Sequence, residues 1–263
     1  MALIRMDHVP ESVKVNLPLN IILPDPGRIG DLPMSQRKVL YLLHGLSDDA
    51  SGWQRYTSIE VLASIYGLVV VMPSAGRSFY TDMPNGQRYF SYLVDELPRY
   101  LEAVFGIAPR RENTMIAGLS MGGYGAFKAA FLRPEQYFAA ASFSGLLSLD
   151  FLKAYPNDPR IEEFTHVFGN LDALWGSEHD PAVWLKNASS NPQALPNLYA
   201  ACGRDDDLYL LNLQFNAAAR ALGIKIDFYE AEARHDWFFW NSQIHRFLAA
   251  VLGEPNLKIK EEN

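Results

Sequence analysis

The sequence predicts an α/β fold in which a mostly parallel central sheet carries helices on both faces. One observation is a series of short, nearly continuous apolar runs rich in branched residues, which are typical of buried strands. The other is that segments with an apolar residue at every third or fourth position lie between these runs, and most of them end at a glycine, as helices do. Strands that alternate with helices form parallel sheets, because parallel neighbours need crossover connections.

The strand predictions begin with residues 13–24 (VKVNLPLNIILP), where apolar and polar residues alternate as they do in edge strands with one wetted face. The segment 24–33 (PDPGRIGDLP) has the prolines and glycines of a turn. Six apolar runs are predicted to be buried strands: KVLYLLHG (38–45), LVVVMP (68–73), TMIAG (114–118), FAAASFSG (138–145), NLYAACG (197–203) and IKIDFYEA (224–231).

Five segments between or after these runs are predicted to be helices. They are SIEVLASIYG (58–67), YFSYLVDELPRYLEAVFG (89–106), MGGYGAFKAAFLRP (121–134), LYLLNLQFNAAARALG (208–223) and DWFFWNSQIHRFLAAVLG (236–253).

The segment from about 146 to 192 interrupts the alternation and is rich in aromatic residues and prolines. It is either a small helical cap insert over the site or a connecting segment that packs on the scaffold. We therefore predict one domain, residues 1–263, with a candidate cap at about 146–192.

Composition agrees with one globular domain, since 49% of the residues are hydrophobic and 20% are charged. The formal net charge of −7 repels nucleic acid and anionic membranes. The first residues (MALIRMDHVPES) lack the apolar core of a signal peptide, and no stretch approaches the roughly 18 to 20 apolar residues of a membrane span. We expect a cytoplasmic protein that binds neither nucleic acid nor membranes, with a frayed polar tail at 258–263. The single cysteine, Cys202, is expected to be a small core residue.

Residues 118–122 (Gly-Leu-Ser-Met-Gly) fit the GxSxG pattern, and they follow a predicted strand and precede a predicted helix. In that setting a tight turn lifts the serine side chain clear of the backbone. A side chain at 118 or 122 would collide with its neighbours in such a turn, so both positions need glycine. Ser120 is therefore the predicted nucleophile.

A serine hydroxyl needs a base to remove its proton, and the base needs an acid, in the chain order Ser, Asp, His. Of the six histidines, His235 alone follows the last predicted strand and precedes the last predicted helix. Asp205, Asp206 and Asp207 directly follow the strand before it. From these residues alone, any one of the three is the candidate acid, and the alternative is that they cap the next helix.

Two backbone N–H groups are predicted to bind the developing oxyanion. One belongs to Met121, at the start of the helix after the serine, and the other to Leu46, in the loop after an early strand. The aromatic residues near these loops either line a compact acyl pocket or pack in the core. They are Trp53, Phe79, Tyr80, Trp237 and Trp240. No residue pattern predicts a metal site.

Seven segments of the chain resemble the esterase D or tributyrin esterase group of α/β-hydrolases, an esterase family that also includes S-formylglutathione hydrolases, feruloyl esterases and mycolyl transferases. The resemblance covers nearly the whole chain. The segments are HGLSDDASGW (44–53), VVMPSAGRSFYTDM (70–83), YFSYLVDELP (89–98), AGLSMGGYGAFKAA (117–130), SFSGLLS (142–148), CGRDDDLY (202–209) and HDWFFW (235–240).

The resemblance implies an α/β-hydrolase fold with a small helical insert, and it implies that Asp206 is the acid and His235 the base. It also implies hydrolysis of small acyl esters without a cofactor, and several members of the family are oligomers. Relatives often carry glycine just before the histidine, whereas this chain has Arg234. That departure leaves two interpretations open: the cation restricts the alcohol side of the substrate, or it changes the acid–base behaviour of the histidine.

The predicted function is that of a serine carboxylesterase, which hydrolyses short-chain acyl esters through an acyl-enzyme intermediate. Its predicted partner is a small-molecule ester. Two alternatives use the same residues on other substrates, namely an S-formylglutathione hydrolase and a feruloyl or acetyl-xylan esterase. A third alternative, of another class, is a non-catalytic binding module on a hydrolase scaffold.

Overall fold

The computed structural model describes residues 1–25, 32–155 and 157–254, and eight strands in these ranges form one sheet. They are β1 (Ala2–His8), β2 (Leu17–Leu23), β3 (Val39–Leu43), β4 (Val69–Pro73), β5 (Thr114–Leu119), β6 (Ala139–Phe143), β7 (Asn197–Gly203) and β8 (Ile226–Ala231). Their order across the sheet is β1-β2-β4-β3-β5-β6-β7-β8. β2 pairs antiparallel with both β1 and β4, and the other neighbouring pairs are parallel.

Helices cover both faces of this sheet, because each face is an apolar surface that must be kept from water. They are α1 (Gly52–Tyr56), α2 (Ile59–Tyr66), α3 (Tyr89–Ser91), α4 (Leu97–Phe105), α5 (Met121–Leu132), α6 (Phe151–Ala154), α7 (Ile161–Phe168), α8 (Pro181–Ala188), α9 (Tyr209–Ala221) and α10 (Trp237–Leu252). Residues of α4, α5 and α9 pack on one face and residues of α2 and α10 on the other. The predicted α/β architecture is confirmed. Within the described ranges, none of the helices has both the length and the apolar character that crossing a membrane requires.

The N-terminal part differs from the prediction. Only one strand, β2, comes from the alternating segment 13–24, and Lys14 has a φ of 59° in the turn before it. One edge strand is β1, whose residues are all exposed or half-buried, so it lacks the apolar pattern that identifies a strand. The other edge strand is β8, which the sequence predicted to be buried but whose residues are exposed or half-buried. The predicted turn at 24–33 lies largely outside the described residues, and the tail at 258–263 lies wholly outside them.

The predicted helix at 89–106 contains one wide π-helical turn, Tyr92–Glu96, between α3 and α4. Pro98 follows it and has no N–H to donate to the carbonyl four residues earlier, on Val94. The side-chain amide of Gln136 donates to that carbonyl instead, at 3.1 Å. The wide turn thus accommodates the proline without leaving a carbonyl unpaired.

The parallel strands end at one edge of the sheet, and hydrogen bonds continue past β5, β6 and β7 into the loops that follow them. Each bond joins the first residues of a loop to the end of the neighbouring strand, which fixes the loop relative to the sheet. The bonds run from Ser120 N–H to the Phe143 carbonyl (2.9 Å), from Ser144 N–H to the Ala201 carbonyl (2.7 Å) and from Arg204 N–H to the Ala231 carbonyl (2.8 Å).

The segment 146–192 forms α6, α7 and α8 and packs on α5 through a buried polar contact. The Tyr124 hydroxyl of α5 donates to the backbone carbonyl of His179 at 2.7 Å. The Lys128 ammonium donates to Thr81 Oγ1 at 3.0 Å and to His179 Nδ1 at 3.1 Å. Burial lowers the pKa of Lys128 to about 8, and burial together with the Lys128 charge lowers the pKa of His179 to about 4.

The low pKa of His179 predicts a loss of stability in acid. An unfolded histidine has a pKa of about 6.5, so between pH 6.5 and 4 the unfolded chain binds more protons than the folded one, and stability falls as the pH falls. We expect His179→Gln to reduce the decrease in unfolding free energy between pH 7 and 5 by about 1–2 kcal/mol, measured by urea denaturation. His166→Gln, at an exposed position on α7, is the matched control. An equal acid dependence in all three proteins would contradict the prediction.

Candidate active site

Ser120 occupies a strained turn between β5 and α5. Its φ and ψ are 52° and −116°, a backbone conformation that residues other than glycine rarely adopt. A Cβ atom placed on Gly118 would lie 2.2 Å from the Gly122 carbonyl oxygen, and one placed on Gly122 would lie 2.3 Å from the Leu43 carbonyl oxygen. Both distances are shorter than any real contact, so the prediction that positions 118 and 122 require glycine is confirmed.

Asp206 and His235 lie in the loops after β7 and β8, and the structure brings them into contact. His235 Nδ1 is 2.8 Å from Asp206 Oδ2, and Asp206 Oδ1 accepts from the Leu208 amide at 2.8 Å. The Asp206 side chain is fully buried, whereas that of His235 is 35% exposed. Burial alone would raise the pKa of Asp206, but the hydrogen bonds from His235 and the Leu208 amide outweigh it, and the pKa lies below its usual value.

The structure distinguishes Asp206 from its two neighbours, which the residue pattern alone did not. The side chains of Asp205 and Asp207 are exposed. The amide of Asp205 donates to the Ala233 carbonyl, in the loop after β8, at 3.0 Å. Asp206 therefore points inward, where it accepts from the Leu208 amide. The N-cap of α9 is Leu208 and no side chain caps this helix, so the capping alternative is not borne out.

The Ser120 hydroxyl lies at the same edge of the sheet and is half-buried. Among the described residues, it makes no hydrogen bond to His235 or to any other group. The hydrogen bond between a catalytic serine and its base often forms only when substrate binds. The structure thus brings the predicted acid and the predicted base into hydrogen-bond contact. It places the predicted nucleophile at the same edge of the sheet, without a hydrogen bond to the base.

The loop after β3 passes beside Ser120, since a Cβ atom placed on Gly45 would lie 3.8 Å from the Cβ of Ser120. The amides of Leu46 and Met121 donate to no group in the described part of the chain. Unpartnered N–H groups beside a serine are what an oxyanion-binding site requires. The geometry is therefore compatible with the predicted roles of both amides.

His44 holds this loop, a role that sequence reasoning did not assign to it. Its Nε2 accepts from the Ala75 amide at 2.9 Å, so the proton is on Nδ1, which lies 2.7 Å from the Gly45 carbonyl and donates to it. Burial lowers the pKa of His44, which keeps the ring neutral and maintains this tautomer. The HG pair after a buried strand was the only local signal.

Two of the predicted pocket residues are buried and donate hydrogen bonds to the backbone at the end of β3 and in the loop after it. Trp53 and Tyr80 are each only 1% exposed. The Trp53 indole donates to the Leu43 carbonyl at 3.0 Å, and the Tyr80 hydroxyl donates to the His44 carbonyl at 3.2 Å. For these two residues, burial favours the second of the two alternatives, packing in the core.

The other predicted aromatic residues lie nearer to the base, except for Phe79. The Trp240 ring stands edge-on to the His235 ring, with 4.9 Å between the centroids. Trp237 is half-buried and packs against Trp240 at 5.3 Å. Phe79 is buried and contacts α7 through Phe164, so it packs the insert onto the scaffold.

The Arg234 side chain is exposed, and the backbone carbonyl of Arg234 accepts from the Asp236 amide at 2.9 Å. In the part of the chain that the structure describes, no three His, Cys, Asp or Glu side chains are grouped so as to hold a metal ion. A cavity of about 800 Å³ opens at the opposite edge of the sheet, between the amino ends of β7 and β8. None of the candidate residues lines it, so volume alone does not locate the site.

Comparison with known proteins gives consistent matches. The family model described as “Putative esterase” matches residues 11–251. An acetyl esterase of Caldicellulosiruptor saccharolyticus is 32% identical over 254 residues, which cover 93% of this chain and 96% of that protein.

Two solved structures from Staphylococcus aureus are similar over nearly their whole length. The fluorophosphonate-binding serine hydrolase FphF superposes with a TM-score of 0.86 at 30% identity, covering 96% of this chain and 99% of that one. The S-formylglutathione hydrolase FrmB gives a TM-score of 0.84 at 30% identity, covering 95% and 98%.

Proposed function

We propose that the chain is a serine carboxylesterase acting on short-chain acyl esters. The premise is that it belongs to the esterase family whose model matches residues 11–251 and that it has the α/β-hydrolase fold. The observation that carries the proposal is the rim at the carboxyl ends of the strands. A buried carboxylate there holds a partly exposed imidazole, beside a strained serine and two unpartnered amides.

The proposed reaction begins with attack of Ser120 Oγ on the ester carbonyl. His235 accepts the serine proton at Nε2, because its Nδ1 is engaged with Asp206. The Asp206 carboxylate stabilises the imidazolium, and the amides of Leu46 and Met121 bind the oxyanion. The imidazolium then protonates the leaving alcohol, and an acyl-enzyme forms. Water, activated by the same imidazole, releases the acid and restores the serine.

The preference for short acyl chains is supported by the aromatic packing around the base. Trp240 is buried against His235, and Trp237 fills the space between Trp240 and Trp53. The similarity to an acetyl esterase agrees with a small acyl group.

We expect kcat/KM for p-nitrophenyl acetate and butyrate to exceed that for the octanoate by about tenfold or more. Each methylene buried in an apolar pocket contributes about 0.8 kcal/mol to binding. A small pocket cannot bury the extra methylenes of an octanoyl chain, so the longer ester gains no binding energy from them and is excluded sterically. Initial rates over a panel from two to eight carbons test it. A kcat/KM that rises steadily with chain length would contradict a small acyl pocket.

Thioester hydrolysis is the second candidate, favoured by the full-length similarity to the S-formylglutathione hydrolase FrmB. The same serine, base and oxyanion donors would act on the thioester carbonyl. Rates on S-formylglutathione and on p-nitrophenyl acetate, measured side by side with one preparation, separate the two. Methyl ferulate in the same panel tests the feruloyl esterase alternative.

A further inference from the structure

Ser144, in the loop just after β6, has two unusual properties. Its φ is 49°, which is uncommon for a residue with a side chain, and it is completely buried. Glycine would adopt this conformation without strain. Ser144 therefore occupies a position where the backbone favours glycine. Backbone strain of this kind is most common at functional sites.

The Ser144 hydroxyl lies among three polar side chains. It accepts from the Trp240 indole N–H at 3.1 Å. It also lies beside the Asp206 carboxylate and helps to lower the pKa of that group, and the Cys202 thiol is a neighbour of both. Because an indole only donates and an ionised carboxylate only accepts, the single hydroxyl proton is directed to Asp206. Burial raises the pKa of Cys202, so that neighbour stays a neutral thiol.

These contacts close a ring around the base. Trp240 donates to Ser144, the Ser144 hydroxyl lies beside the Asp206 carboxylate with its proton directed to it, and Asp206 accepts from His235. The Trp240 ring then stands at 89° to the His235 ring, 4.9 Å away. The same hydroxyl thus fixes both the carboxylate that orients the imidazole and the aromatic ring that packs beside it.

We propose that Ser144 is a positioning residue for the acid–base pair, holding Asp206 and Trp240 in the geometry that His235 needs. The inference rests on the proposed serine esterase function. Ser144 does not touch the substrate; it acts through the two residues that contact His235. Three strand ends contribute to the ring, so the residue after β6 couples the loops after β7 and β8.

The decisive variant is Ser144→Gly, because glycine removes the hydroxyl and suits the φ of 49°. Relief of the backbone strain offsets part of the cost of leaving the Trp240 N–H unpaired, so we expect the thermal unfolding temperature to change by only a few degrees. We expect kcat for p-nitrophenyl acetate to fall by about 10- to 100-fold with little change in KM, since a hydrogen bond to a charged group is lost. Lys14→Gly, at a positive φ in an exposed turn far from the site, is the matched control for backbone relief.

The pH profile separates positioning from a merely structural role. Without the Ser144 hydroxyl, more of the Asp206 charge is left for the imidazolium, so we expect the acidic limb of the kcat profile to move to higher pH. Trp240→Phe keeps an aromatic ring but removes the N–H donor together with part of the indole. Because the ring acts as a unit, the double variant Ser144→Gly/Trp240→Phe should be scarcely slower than Ser144→Gly alone.

The outcomes are distinguishable from failure of the proposed function itself. An active Ser120→Ala protein would refute the serine esterase. If Ser120→Ala is inactive but Ser144→Gly keeps the parent kcat and pH profile, only the role of Ser144 is refuted. A Ser144→Gly protein that loses activity in proportion to lost stability, with an unmoved pH profile, would likewise overturn the inference in favour of simple packing.

Discussion

Replacing Ser120 with alanine is expected to lower kcat/KM for p-nitrophenyl acetate by about 10⁴- to 10⁶-fold. The substitution removes the atom that forms the acyl bond, so only the oxyanion-binding amides and substrate binding remain to accelerate attack by water. The fold should survive, because among the described residues the hydroxyl makes no hydrogen bond that the alanine would lose. The measurement is an initial-rate assay, with thermal unfolding of the same preparation.

Ser190→Ala, at an exposed position after α8, is the matched control and should keep the parent rate. Labelling with a fluorophosphonate probe gives an independent result, since the probe reacts with an activated serine. We expect the parent and Ser190→Ala to be labelled and Ser120→Ala to remain unlabelled. Parent-level activity in Ser120→Ala would assign the chemistry to another residue, and an unlabelled parent would favour a non-catalytic module.

The nucleophile turn is the part of the site that local sequence specifies best. A serine between two glycines, after an apolar run and before a helical one, has a single structural solution, because the two missing Cβ atoms and the positive φ of Ser120 are required by the same close approach of backbone segments. Buried parallel strands were equally visible, since both of their faces are apolar. The edge strand β1 was missed because its residues are exposed or half-buried and form no continuous apolar run.

The acid could not be chosen from local residues, because its direction is set by pairing with a distant segment. The amides of Arg204 and Asp205 donate to the carbonyls of Ala231 and Ala233, at 2.8 and 3.0 Å, and these bonds orient the loop so that only the next residue, Asp206, turns inward. Nothing within the run of three aspartates encodes that pairing. Resemblance to a family singled out Asp206, the aspartate that contacts His235, where physical reasoning from the residues left all three open.

Whether Trp53 and Tyr80 line a pocket or support the loop after β3 was left open for a related reason. Trp53 and Tyr80 are close in sequence to the loops of the site, and sequence position does not tell whether a side chain faces the cleft or the core. Both donate hydrogen bonds to carbonyls at the end of β3 and in the loop after it, which fixes the backbone that presents Leu46. Ser144 belongs to one of the segments that resemble the family, but its strain and its partners are tertiary properties that the segment does not show.

The second large effect is expected for Asp206→Asn, with a loss of about 10⁴-fold in kcat at neutral pH. Asparagine is similar in size, and its carbonyl oxygen can still accept from the Leu208 amide, so folding should be little changed. Its amide group, however, donates toward Nδ1 of His235. The imidazole then carries its proton on Nε2, and the nitrogen that faces the serine can no longer accept one.

Asp205→Asn and Asp207→Asn are the matched controls, because they make the same chemical change one residue away on exposed side chains. Both should keep kcat within about twofold of the parent, as expected of surface substitutions. A large loss in either control, with parent-like activity in Asp206→Asn, would mean that the loop rearranges when substrate binds. Because all three variants change the net charge equally, a selective loss at Asp206 reflects the buried contacts of that side chain, above all the one with His235, and not the overall field of the acidic loop.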